Sequence, residues 1–158
     1  MFINNMTKQF TIRILHRTDY DGWRPLWDGY NAFYDRSGPT ALPEEITRAT
    51  WERFFNPSEP VHAFVAEQGG HIAGFAHFLF HRSTTRINEV CYLQDLYTAE
   101  PLRGLGIARQ LISAVYEAAK VAGSSRVYWQ TQTTNTAGRA LYDKVAQHRG
   151  FIVYAHEL

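Results

Sequence analysis

At 158 residues the chain is long enough for one domain with a sizeable core, and 45% hydrophobic with 20% charged residues is ordinary for a globular protein. The single cysteine, Cys91, excludes an internal disulfide framework and a cysteine-built metal cage, and a net charge of +1 argues against nucleic acid as the main partner. No apolar run approaches the roughly 18 residues of a membrane span, and Met1–Phe10 lacks the order of a signal peptide, so a cytoplasmic protein without a membrane partner is expected.

Thr11–Leu15 alternates like a short strand. Asp19–Tyr34 places Trp23, Leu26, Trp27, Tyr30 and Phe33 at spacings of three and four, which predicts an amphipathic helix with Asp19 as its cap. After the breaker Ser37-Gly38-Pro39, a second helix is expected over Pro43–Phe55, with two acids in its first turn. His62–Glu67 and His71–Phe80 read as strands joined by a Gly69-Gly70 hairpin turn, and Val90–Thr98 as a third. From Gly106 the period changes: Ile107, Leu111, Val115, Ala118 and Ala122 form one stripe of a helix ended by Gly123. Arg126–Thr131 is strand-like, Asn135–His148 helical, and Phe151–Ala155 a last strand. The order β-α-α-β-β-β-α-β-α-β predicts an α+β, or mixed α/β, domain with helices packed on one sheet.

The sharpest local feature is Leu96-Tyr97-Thr98 followed by Arg103-Gly104-Leu105-Gly106-Ile107-Ala108 at the start of a helix. A helix start leaves backbone N–H groups unpaired, glycines let a phosphate approach them, and Arg103 adds a cation. Charge distribution agrees. Residues 1–100 hold nine Lys/Arg against twelve Asp/Glu, whereas residues 101–150 hold seven against two. The later half therefore favours an anionic ligand and the earlier half a cationic one. An NTPase loop is excluded because Gly106 is not followed by Lys and Ser/Thr, and a dinucleotide fingerprint because Arg109 stands where its third glycine belongs.

Arg103, Gly106 and Ala108 match the Arg/Gln-x-x-Gly-x-Gly/Ala motif of the GNAT superfamily of N-acetyltransferases. Gln94–Thr98, Val127-Tyr128-Trp129, and Asn135–Tyr142 with Ala137 and Leu141, follow in the order of that family's central strand, next strand and pantetheine-flanking helix. The run Val90–Phe151 is similar in style to the histone- and polyamine-acetylating branch. The resemblance implies a GNAT-like mixed sheet, a single N-acetyltransferase domain over residues 11–158 after an extension at 1–10, and acetyl-CoA as co-substrate. It further implies that the strand at Leu96, Tyr97 and Thr98 pairs with pantetheine, and that Arg103, Gly104, Leu105, Gly106, Ile107 and Ala108 hold the pyrophosphate. Asn135 would contact the pantetheine arm and Tyr142 face the acetyl sulfur. Two positions depart from the family pattern. Glu100, followed by Pro101, replaces a frequent proline, and Gln94 stands where the related branch often has a Glu.

Gln94 cannot accept a proton, so the general base is sought among neighbouring carboxylates, Glu89 and Asp95, which strand alternation puts on the face opposite Gln94 unless a bulge resets the register. Tyr142 is the candidate proton donor to the departing thiolate. Cys91 reads as a small buried hydrophobe. His77 and His81, about 13 Å apart on a strand, make no metal site. The acceptor expected from Asp19, Asp28, Asp35, Glu44, Glu45 and the aromatic helix is a small cationic amine, with polyamines and a lysine side chain ahead of aminoglycosides and amino acids. A homodimer is compatible with the chain. A non-catalytic coenzyme-A-binding module and a transferase of longer acyl groups remain the alternatives.

Overall fold

Period-two segments rich in β-branched and aromatic residues build a five-stranded sheet in the computed structural model, which describes residues 9–158. The strands are β1 (Thr11–Ile14), β2 (Val61–Gln68), β3 (His71–His81), β4 (Val90–Thr98) and β5 (Val127–Tyr128), paired in sequence order. The first four run antiparallel, and β5 joins β4 in parallel. Gly69 and Gly70, with φ of +58° and +81°, make the two-residue β2–β3 turn that positive φ angles favour.

Helices α1 (Tyr20–Phe33) and α2 (Glu44–Arg53) cover one face, and α3 (Ile107–Val121) the other. Under α1 and α2 lies a cluster of Leu15, Trp23, Trp27, Tyr30, Trp51, Val65 and Phe75. Trp23 stacks on Trp27 at 5.6 Å and Trp27 on Tyr30 at 5.6 Å, as the three-to-four spacing along α1 requires. Under α3 lies a second cluster that includes Ala76, Phe78, Cys91, Leu93, Ile107, Leu111, Ile112, Val115 and Ala119. Phe10 is buried in it, so the folded unit reaches back into the segment expected to be an extension; residues 1–8 lie outside the described residues. The α3 stripe ends on Ala119 rather than passing through Ala122, which is exposed. Among the described residues no helix is long and apolar enough to cross a membrane.

Several boundaries differ from expectation. Asp19 precedes α1 but its side chain caps none of the N–H groups of α1; both its oxygens accept from Arg13, whose guanidinium also reaches Glu67, and Oδ2 accepts from His16 N–H in the turn before the helix at 2.7 Å. A nearby arginine fork is a stronger partner for a carboxylate than a helix-end N–H. The strand expected over Arg126–Thr131 is reduced to two residues, because β5 meets β4 only at Cys91↔Val127 and Tyr92↔Tyr128. Helix α4 (Thr136–Val145) stops three residues short of His148: Tyr116 Oη donates to the Val145 carbonyl at 2.9 Å, and Ala146 is extended. Phe151–Ala155 is not a strand in this structure; Phe151, Ile152, Val153 and Tyr154 are all largely exposed. Strand propensity without a pairing edge does not make a strand.

Close approach of β3 to β4 depends on Gly74. A Cβ there would stand 2.6 Å from the Tyr97 carbonyl oxygen and 3.2 Å from Ile107 Cγ2. Backbone cannot move aside as a side-chain tip can, so Gly74→Ala is expected to cost about 1–3 kcal/mol, as overpacking does. Thermal unfolding should show a melting temperature lower by several degrees; an unchanged melt would mean that β3 and β4 adapt freely here.

Candidate active site

Strand β4 leads through a short 3₁₀ turn (Glu100–Leu102) into the glycine loop and α3. Gly104 and Gly106 have φ of +78° and +82°, and no atom lies within 4 Å of where a Cβ would stand on either. Gly106 is itself the N-cap of α3, and no side chain caps the N–H groups of its first turn. Leu105 is half exposed, whereas the Ile107 side chain is buried in the core, so at 107 only the backbone faces the loop. The positive φ also changes what a substitution at 106 would mean: a β-branched residue there is strained whatever binds, so Arg103 is the cleaner probe. Arg103 Nε donates to the Thr98 carbonyl at 3.2 Å, and its guanidinium lies 5.5 Å from the centre of the Tyr97 ring. Thr98 Oγ1 is buried without a hydrogen-bond partner among the described residues. An orphaned hydroxyl beside two glycines and an uncapped helix start fits a ligand that brings both a phosphate and hydrogen-bonding amides, as acetyl-CoA does.

Because β5 leaves β4 after Tyr92, the stretch Leu93–Thr98 has no strand partner on that side among the described residues, and the backbone of Leu96, Tyr97 and Thr98 borders a gap. Helix α4 sets Leu141, Tyr142 and Val145 against the cluster under α3. Its Tyr142 packs against Trp129, ring centres 5.4 Å apart, and burial, with a smaller effect of the neighbouring Tyr34, pushes its hydroxyl above the ordinary value. Asn135 is the N-cap of α4: its Oδ1 accepts from Gly138 N–H at 3.2 Å and its Nδ2 donates to Thr131 at 2.9 Å.

The two sequence-predicted carboxylates part company. Glu89 lies just before β4, exposed, with Arg82 at 3.7 Å. Asp95 is six residues away, roughly 20 Å along an extended chain. Strand β4 carries a bulge: His77 pairs with Asp95 and Phe78 with Leu93, which leaves Gln94 as the extra residue. Cys91, Leu93 and Leu96 therefore all pack toward α3, and Asp95 turns toward α1.

There the carboxylate is nearly buried and held from two sides. Tyr30 Oη donates to Oδ1 at 2.6 Å, and His77 Nδ1 lies 2.9 Å from Oδ2. Trp23 Nε1–H donates in turn to His77 Nε2 at 3.0 Å. Burial, reinforced by the Asp95 charge, holds the Tyr30 phenol in its neutral form far into alkali. Asp95, Gln94, His77, Trp27, Phe54 and Arg53 line a pocket of about 110 Å³. His77 and Tyr30 enter the site as polar groups that pattern reading did not assign. The signal was a histidine inside the apolar run Ile72–Phe80, but its partners lie 18 and 54 residues away. His81 goes elsewhere, to Tyr128 Oη at 2.7 Å, and among the described residues no three His, Cys, Asp or Glu side chains converge as metal ligands would. Cys91 is wholly buried, which pushes its thiol up to about 11.

This arrangement resembles known proteins in sequence and in shape. The family model described as "Acetyltransferase (GNAT) family" matches residues 23–146. A D-amino-acid N-acetyltransferase of Saccharomyces cerevisiae, HPA3, is 34% identical over 149 residues, 92% of this chain and 89% of the relative. A thialysine N-ε-acetyltransferase of Caenorhabditis elegans is 33% identical over 88 residues, 56% of this chain and 54% of the relative. Among solved structures, an aminoglycoside acetyltransferase, AAC(6')-Iy, in complex with a bisubstrate analogue superposes with a TM-score of 0.80 at 19% identity, covering 95% of this chain and 99% of that one. A ribosomal-protein-alanine N-acetyltransferase from Brucella melitensis superposes at 0.75, with 21% identity and 95% and 100% coverage. With the family model spanning most of its length and the yeast relative aligned nearly end to end, the chain belongs to the acetyltransferase (GNAT) family and is an N-acetyltransferase.

Proposed function

We propose that the chain transfers an acetyl group from acetyl-CoA directly to a primary amine that meets Asp95. One observation carries this reading: β4 has an unpaired edge that runs on into the glycine loop, and the bulge at Gln94 in the same strand turns Asp95 into the pocket. Arg103 and the N–H groups around Gly104–Ala108 would hold the pyrophosphate, and the backbone of Leu96 and Thr98 the pantetheine arm. The co-substrate, when bound, supplies an activated acyl thioester. Asp95 would take one proton from the ammonium so that the neutral amine attacks the thioester carbon. Tyr142 keeps its proton at neutral pH and would give it to the thiolate as the C–S bond breaks, regaining one from the acylated nitrogen, while the buried thiol of Cys91 stays out of the reaction.

For the acceptor, Asp95 favours an ammonium group, consistent with a polyamine or a lysine side chain. The acid-rich first hundred residues support this less than their number suggests. Arg24 engages both Asp28 and Glu44, and Arg13 engages Asp19. A second reading, an amino-acid α-amine, is favoured by Arg53, which lines the same pocket as Asp95 and makes no ion pair among the described residues, and by the name of the yeast relative. Ammonium at Asp95 and carboxylate at Arg53 would suit a zwitterion. Thiol release from acetyl-CoA in the presence of polyamines, lysine, D- and L-amino acids and neutral amines tests both. Turnover confined to neutral or anionic amines, or none with any amine, would sink the proposal.

Two variants probe the co-substrate side. Arg103→Ala removes one charged contact to an anion, worth about 1.5–3 kcal/mol, and should weaken acetyl-CoA binding in calorimetry by about tenfold or more with little change in melting temperature. Equal affinity would place the pyrophosphate elsewhere.

Tyr142→Phe keeps the ring on Trp129 and removes the proton. Turnover should fall by ~10²-fold or more, the range of general-acid loss, with coenzyme affinity nearly unchanged. An acid works only while protonated, so its raised pKa moves the alkaline loss of activity above the ordinary tyrosine range near ~10. If the Phe variant turns over like the parent, the proton comes from elsewhere and Tyr142 is a packing residue.

A further inference from the structure

Four side chains from three elements form one buried line: Trp23 of α1, His77 of β3, Asp95 of β4 and Tyr30 of α1. An indole N–H donates and cannot accept. With Trp23 Nε1 3.0 Å from His77 Nε2, that nitrogen must offer a lone pair, which leaves the ring proton on Nδ1, pointed at Asp95 Oδ2 2.9 Å away. A second proton on Nε2 would set two N–H groups against each other, where Trp23 is fully buried and His77 is 2% exposed. Burial that deep leaves little room for water to relieve the conflict.

We propose that Trp23 locks His77 as a neutral Nδ1–H donor, so that Asp95 is positioned by two neutral hydrogen bonds and keeps its charge for a cationic acceptor amine. This rests on the reading that the acceptor meets Asp95. A cationic histidine would position the carboxylate equally well but would cancel its charge. A neutral one aims it and leaves the charge facing the pocket. Each oxygen receives one hydrogen bond, from Tyr30 or from His77, and each retains a further lone pair. The titratable and charged groups around His77 are Asp95 on β4, Tyr30 on α1 and, across the pocket, Arg53 on α2; the rings of Trp23, Trp27, Phe54 and Phe75 enclose the remainder. The line ends at a buried indole, so it conducts no proton to solvent. Trp23 and His77 are positioning residues.

Nitrogen-detected imidazole NMR on the parent protein tests the lock without any turnover. At neutral pH His77 should appear as the Nδ1–H tautomer with Nε2 bare. Trp23→Phe keeps an aromatic ring and frees Nε2. In that variant His77 should titrate, and the KM for a diamine acceptor should rise roughly tenfold relative to the parent between pH 7.5 and pH 5.5, one unit below the ordinary imidazole value of about 6.5. The KM for acetyl-CoA should follow the parent's pH dependence. Asn places an amide donor near the position of Nδ1 and carries no charge, so Trp23→Phe with His77→Asn should lose the acidic rise. An Nε2–H tautomer or an imidazolium in the parent overturns the proposal, even if Trp23→Phe does not fold. A titrating His77 with an unchanged acceptor KM also overturns it, because Asp95 then does not meet the amine. Acetyl transfer itself would survive that result, whereas failure of the parent with every amine would remove the broader reading.

Discussion

The extra residue at Gln94 decides which side of the sheet Asp95 belongs to. In an unbulged β4, Cys91, Leu93 and residue 95 would share a face, and a carboxylate would enter the apolar layer under α3 with no partner. Burying an unpaired charge there is prohibitive. One inserted residue lets Leu96 take that place among Leu111, Ile112 and Val115 and turns Asp95 to α1, where two donors wait. The same distortion accompanies the parting of β4 from β5, which pair only at the start of the strand. Bulge and gap thus place one backbone edge and one carboxylate on either side of a single strand, separated by little more than its thickness.

Holding a carboxylate under an aromatic layer requires that the layer supply donors as well as area. Helix α1 does both. Trp23, Trp27 and Tyr30 stack along it in register, and two of the three turn a polar atom into the Asp95 line. Trp27 spends its N–H on Thr47 of α2, which fastens the two helices together instead. Each buried polar tip is satisfied once, so the layer gains specificity without leaving an orphaned group. The rings that fill the core and the groups that aim the carboxylate are the same side chains, so only a substitution that keeps a ring, as Phe does at Trp23, separates the donor from the packing.

Legibility in the sequence followed the range of the interactions concerned. Val90–Thr98 is a strand with the expected bounds, and Gly123 ends α3 in the left-handed conformation, because both depend on neighbours in the chain. The glycine loop was readable for the same reason: Gly104 and Gly106 owe their positive φ to the turn itself. Features set by distant partners were not readable. Asp19 looked like a cap because Arg13, on a strand that pairs with β2, was not known to lean over it. Phe151–Ala155 looked like a strand because composition does not say whether an edge is available. Spacing in the chain sets His77 only beside His81, with which it makes no metal site, whereas its partners sit on α1 and β4. The bulge that governs Asp95 leaves no composition signature at all, since Gln94 is neither glycine nor proline.

Charge gave the subtlest misdirection. Counting residues suggested that the acidic first hundred positions draw a cation, yet Asp19, Asp28, Glu44, Glu52 and Glu67 are all spent on arginines of that same region. Exposed pairs of this kind are worth little individually, but each removes one carboxylate from the long-range field. The field inside the pocket is then set by the groups that line it, buried Asp95 and exposed Arg53, and water screens the first less than the second. One buried carboxylate held by neutral donors can outweigh several solvated ones. On the proposal that the acceptor meets Asp95, the state of a single histidine proton would bear more on which amine enters than the sign of the surrounding sequence.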